Sequence, residues 1–141
     1  MGFSVSGSAA IIFVGVFLAF STAYTASADG FERVSDARSA VDEQALERQN
    51  TVIDVTNASY GNGTLSVEVV NEGATGLSVG AVDLLVDNAY RDNFTARTVA
   101  GSNSTDLWLP GERLRLDVSA PNRPDRIKVV SGPGVADVEV L

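Results

Sequence analysis

The sequence predicts a mainly β protein: an immunoglobulin-like β-sandwich carried on an N-terminal transmembrane helix with a helical stalk. Three observations predict it. Residues 3–28, FSVSGSAAIIFVGVFLAFSTAYTASA, contain no Asp, Glu, Lys or Arg. From residue 50 onward, apolar and polar residues alternate in short runs, the period of half-buried strands. Gly, Pro and Asn punctuate these runs with no amphipathic helix between them, so about seven short strands share the last ~90 residues. The chain divides accordingly into an anchor over 1–28, a stalk over 29–49 and an extracytoplasmic β-sandwich domain over 50–141.

The anchor comes first. At a rise of about 1.5 Å per residue its 26 residues reach roughly 39 Å, enough to cross a hydrocarbon core of about 30 Å with some tilt. Lipid offers nothing to backbone N–H and C=O groups, so a lone span has to be helical. A cleaved secretory signal would begin with basic residues and carry a shorter apolar core. Residues 1–8 have no Lys or Arg, which favours a retained signal-anchor over a signal with cleavage near Ala26 or Ala28. A pilin-like leader would place a basic residue before the processing Gly and a Glu just inside the helix. Here only Met1 precedes Gly2, and the first acid is Asp29.

Two signals disagree on orientation. Arg33, Arg38 and Arg48 follow the span, and the positive-inside rule alone would put the domain in the cytoplasm. Four Asn-x-Ser/Thr glycan acceptors, at Asn57, Asn62, Asn93 and Asn103, fall in expected turns or strand ends and argue for the outside. The chain reads as a single-pass cell-membrane protein with its C-terminal domain extracytoplasmic, and as a glycoprotein.

The stalk, DGFERVSDARSAVDEQALERQ, places Phe31, Val34, Arg38, Val41 and Ala45 on one side of a helix that continues the span. The period then drops to two. TVIDVT, residues 51–56, is a first strand, Gly61-Asn62-Gly63 a hairpin turn, and Thr64–Asn71 the returning strand, with Asn71-Glu72-Gly73 closing it. Residues 78–87 form the next strand, and Leu84-Leu85-Val86 suggests burial on both faces. Residues 89–98 alternate less clearly, and 101–104 turn. DLWLPGERLRLDV, residues 106–118, reads as a hairpin about Pro110-Gly111 with Leu107 and Leu109 on one face. RIKVVS and ADVEVL, flanking Gly132-Pro133-Gly134, are the last strands.

Net charge is −8, and Lys128 is the only Lys among ten basic residues, a balance suited to a halophilic surface. The same balance argues against nucleic acid or anionic lipid as a partner, since both need basic patches. There is no His and no Cys, so Ser-His-Asp triads, thiolate nucleophiles, disulfides and His or Cys metal sites are impossible. The carboxylate pairs Glu68/Glu72 and Asp83/Asp87 fit a solvated surface better than acid–base catalysis. Asp87, Asn88 and Asp92 could gather oxygens for calcium, but in no EF-hand spacing. No enzymatic activity, cofactor or metal is expected. Tyr90 and Trp108 are the candidate binding aromatics. With Leu107 and Leu109 inward, Trp108 faces solvent or a partner; a bulge would bury it instead.

The segments GFSVSGSAAIIFVG, FERVSDAR, TVIDVTNASY, LLVDNAYR, TDLWLPGERL and PDRIKVVSGPGVAD, in this order, resemble the archaeal FlaF (ArlF) family, archaellum accessory proteins, in its haloarchaeal form. The resemblance implies a monotopic anchor, a β-sandwich in the pseudoperiplasm and binding to the S-layer protein. It also implies a stator role in archaellum motility beside a FlaG-type partner, and homodimers or hetero-oligomers formed through the β-domain. Two other readings remain open on the residues: a pilin-like subunit of a type IV pilus-like filament, and an envelope sugar-binding or adhesion domain.

Overall fold

The computed structural model describes residues 2–141, with side-chain placement from Ser6 onward. Two compact units result, Met1–Glu43 and Gln44–Leu141.

The first unit is helical throughout its described residues, part of α1 (Gly2–Gln49). Its apolar side chains, among them Ile11, Phe13, Phe17 and Phe20, are all exposed. Among the described residues one helix is long and apolar enough to cross a membrane, and it is this one. The hydroxyls within it do not interrupt that character. Thr22 Oγ1 donates to Leu18 O and Ala19 O, Thr25 Oγ1 to Ser21 O and Thr22 O, and Ser27 Oγ to Ala23 O. These three hydroxyls are thereby satisfied by their own helix, as lipid requires.

The second unit opens on the last turn of α1, and the stop there is built. Thr51, buried, donates its hydroxyl to Glu47 O at 2.7 Å, and Asn50 N–H bonds to Leu46 O. These bonds occupy carbonyls that a helix end leaves orphaned.

Ten strands follow: β1 (Ile53–Gly61), β2 (Thr64–Asn71), β3 (Leu77–Ser78), β4 (Asp83–Val86), β5 (Ala89–Arg91), β6 (Phe94–Val99), β7 (Leu107–Trp108), β8 (Arg113–Ser119), β9 (Arg126–Val130) and β10 (Ala136–Val140). They form two four-stranded antiparallel sheets, β1-β2-β8-β6 and β10-β9-β4-β5, and a small pair, β3-β7. The core lies between the large sheets. Leu65, Val67 and Val69 of β2 and Leu114, Leu116 and Val118 of β8 meet Leu84, Ile127 and Val129 there, all with no exposed surface. This is the β-sandwich on a helical anchor that alternation and an uncharged N-terminal stretch predict.

Local turns follow from residue chemistry. Asn62 and Gly63 take φ of 53° and 76°, and Asp87 and Asn88 take 48° and 66°, so both tight hairpins use left-handed pairs of residues that tolerate them.

Three expectations are corrected. The first strand does not end at Thr56. A bulge between Val55 and Asn57 shifts its phase, so Ile53 and Val55 point inward before it and Ala58 and Tyr60 after it. Leu84-Leu85-Val86 is not buried on both faces, because Leu85 stands half-exposed on the outer face of the second sheet. Residues 106–118 are not a hairpin: β7 pairs with β3, whereas β8 pairs with β2 and β6. Pro110-Gly111 therefore carries the chain between sheets.

Candidate interaction surfaces

Trp108 belongs to the core. It has no exposed surface, and its Nε1–H donates to Glu112 O at 2.8 Å, so the buried indole leaves no polar atom unpaired. Leu107 and Leu109 are the exposed members of the segment, the reverse of the inward placement that would expose Trp108. Glu112 closes this turn, its Oε2 accepting from Leu109 N at 2.8 Å. Trp108 therefore presents no surface, and Leu107 and Leu109 are what this segment exposes.

Beside the indole sits a residue that sequence reasoning treats only as a strand end. Asn71 is fully buried; its Nδ2 donates to Thr75 O at 2.8 Å and Trp108 O at 3.2 Å, while Oδ1 accepts from Gly73 N at 3.1 Å. Its main chain bonds to Glu112 O and Gly111 N. Asn71 therefore ties the end of β2 to both the turn after it and the segment around Pro110. Asn71-Glu72-Gly73 signals a turn, but no periodicity announces a buried hub.

Tyr90 is 60% exposed on β5. By register it stands opposite Leu85, which faces Lys128, which faces Val138. The outer face of the second sheet thus carries one row of Val138, Lys128, Leu85 and Tyr90 across all four strands. Val138 is 49% exposed and Val140 72%, so apolar surface gathers at the β10 side of this face.

The outer face of the first sheet is a charged ladder instead. Glu68 pairs with Arg113 at 3.4 Å and Arg115 with Asp117 at 3.1 Å, beside a shallow basin of about 410 Å³ lined by Thr98, Gly111, Arg113 and Arg115.

The four sequon asparagines are exposed. Asn57 lies at the β1 bulge, Asn62 in the β1–β2 turn, Asn93 just before β6 and Asn103 between β6 and β7.

The remaining candidate groups are tied into local structure. Asp87 Oδ1 accepts from Asp125 N and Arg126 N, and Asn88 Oδ1 from Arg126 Nη2 at 2.6 Å, so two of the three candidate calcium ligands brace the β4–β5 turn. No group of three or more Asp, Glu, His or Cys suited to a metal occurs among the described residues. Asp106 clamps another turn. Oδ2 accepts from Ser78 Oγ and Oδ1 from Gly80 N, both at 2.7 Å. The Ser78 hydrogen bond first, then Gly80 N–H, hold its carboxyl below the ordinary value of 3.8, with Arg97 assisting.

No protein-family model matches the chain, and no curated protein matches it. Among solved structures, the archaellum periplasmic stator protein FlaG from Sulfolobus acidocaldarius is similar at 16% identity and a TM-score of 0.45, over 64% of this chain and 99% of that one.

Proposed function

We propose that the chain is a non-enzymatic, membrane-anchored component of the archaellum machinery, acting as a stator that binds the S-layer protein through its β-sandwich, beside a FlaG-type partner. The carrying observation is the uncharged N-terminal stretch of helix with its exposed apolar side chains, joined to a close-packed sandwich core. Such side chains require lipid or an equivalent apolar environment. A stator must pass the motor's reaction torque to an immobile layer. A span held in the bilayer and a close-packed domain gripping a protein lattice can do that; a freely diffusing domain cannot. The FlaF-like segments along the chain support the same reading. The exposed sequons at Asn57, Asn62, Asn93 and Asn103 support an extracytoplasmic domain, and the acidic surface supports function in high salt.

The test is a pull-down of the full chain, held in lipid nanodiscs, with purified S-layer protein in molar KCl. Saturable retention is expected. Absence of retention, with the sandwich shown folded by circular dichroism, refutes the stator reading.

A further inference from the structure

We propose that the free edge of β10 is a docking site for an extended segment of a partner protein, in which apolar residues alternate with Lys or Arg. β10 is the terminal strand of the second sheet, paired on one side only, with β9. Ser131 N bonds to Val135 O and Leu141 N to Asp125 O, and the register continues through Asp137↔Val129 and Glu139↔Ile127. In an antiparallel ladder the hydrogen-bonded pairs alternate, so the odd-numbered residues of β10 are the ones bonded to β9. Asp87 N bonding to Arg126 O sets the complementary parity, with the even-numbered residues of β9 bonded toward β4. The N–H and C=O groups of Ala136, Val138 and Val140 consequently face away from β9, and no main-chain partner covers them among the described residues.

The other edge on this side of the sandwich is closed. Val55 N, the outward donor of β1, is taken by Asp137 Oδ2 at 2.8 Å, and the bulge after Val55 breaks the β1 edge further. β1 approaches β10 on its inner side at that bond, but the outward main chain of β10 has no hydrogen-bonded strand among the described residues. A strand added to it would set side chains against Val138 and Val140 on the outer face, and against Asp137 and Glu139 on the inner one.

That alternation selects the occupant. A second copy of β10 is the obvious rival, and the charges oppose it. Antiparallel self-pairing centred on Val138 puts Asp137 opposite the other copy's Glu139, twice. Centring on Glu139 or on Asp137 puts that acid opposite itself. Like charges directly opposite destabilise a strand pair, whereas opposite charges contribute. A segment with apolar residues facing Val138 and Val140, and cations facing Asp137 and Glu139, satisfies both faces while pairing the open main chain.

The full chain in nanodiscs is titrated with a short synthetic peptide in which valine alternates with arginine, followed by amide hydrogen exchange. Saturable binding is expected, with exchange slowed at Ala136, Val138 and Val140 and little changed at Asp137 and Glu139. Replacing the peptide's arginines by glutamate, or methylating its pairing amides, should each weaken binding about tenfold or more. Glu139→Lys, at an exposed position, should fold normally and cancel most of the preference between the two peptides, because Asp137 remains opposite one of their charges. Binding that ignores charge or amide methylation overturns the proposal, as does no binding at millimolar peptide. Concentration-dependent protection of the same amides without peptide also overturns it, since the occupant is then a second copy.

Discussion

Replacing Trp108 tests its burial, one of the two placements that the sequence leaves open. Its indole is wholly inside the sandwich and donates to Glu112 O, which also accepts from Asn71 N. Trp108→Phe removes one hydrogen bond but leaves Glu112 O with its second donor, so the bond itself costs about 1 kcal/mol. The smaller ring leaves a void that adds about 1 kcal/mol. The resulting ~2 kcal/mol lowers the melting temperature of a domain of about 90 residues by roughly 8–16 °C. Trp108→Ala empties the whole site and costs about 3–5 kcal/mol, a large share of the ~5–15 kcal/mol that a domain possesses. The assay is thermal melting of the full chain followed by circular dichroism in the β region. Wild-type fluorescence is an independent check, because the chain has a single Trp: emission should be blue-shifted and shielded from iodide until the sandwich unfolds. Tyr90→Ala is the control, an exposed aromatic whose loss should cost within about 0.5 kcal/mol. Equal, small effects of Trp108→Ala and Tyr90→Ala, with quenchable native emission, would refute the burial argument.

Other positions yield outcomes of the same kind. Asn71→Ala removes the amide that serves Thr75 O and Trp108 O, and should destabilise the sandwich by about 2–3 kcal/mol in urea titrations. Gly73→Ala places a Cβ 2.5 Å from Asn50 O and 2.6 Å from Val52 N, both main chain, so the turn must shift; a loss of about 1–3 kcal/mol is expected by the same titration. Asp106 has a lowered folded-state pKa, so its contribution to stability is complete above the unfolded value near 3.8 and is lost as pH falls through the folded one. Asp106→Asn should therefore flatten the wild-type loss of stability below about pH 4, seen in melting temperatures recorded against pH.

How much of this was legible follows from the range of each interaction. The anchor was readable because helicity in lipid depends on composition over a contiguous stretch, and residues 3–28 meet that condition alone. β2 was readable to the residue, since a strand buried on one face alternates strictly and its turn, Asn62-Gly63, has a chemical signature. β1 was readable only to its bulge: one extra residue at Thr56 inverts the phase, and period-two reasoning then sees the strand end. The segment at 106–118 misled for a different reason. Its alternation and its Pro-Gly turn are those of a hairpin, but β7 pairs with β3 about thirty residues away. Nothing local distinguishes the two pairings. The choice is made by Trp108, whose volume fills the core only when Leu107 and Leu109 turn outward.

The same limit explains why the free edge of β10 could not be found from the sequence. ADVEVL shows one acid on either side of Val138, which alone reads as a solvated face on a late strand. Its meaning depends on parity: which residues bond to β9, and which acid reaches across to Val55. Once parity is known, Asp137 has two roles from one position. It closes the β1 edge by taking the Val55 amide, and together with Glu139 it disfavours pairing between copies at the β10 edge. A domain that merely needed to avoid aggregation could have protected both edges in the way it protects β1. Leaving three pairs of main-chain groups open on β10, guarded by charge rather than by a bulge or a covering loop, admits a strand of the opposite charge while opposing the protein's own.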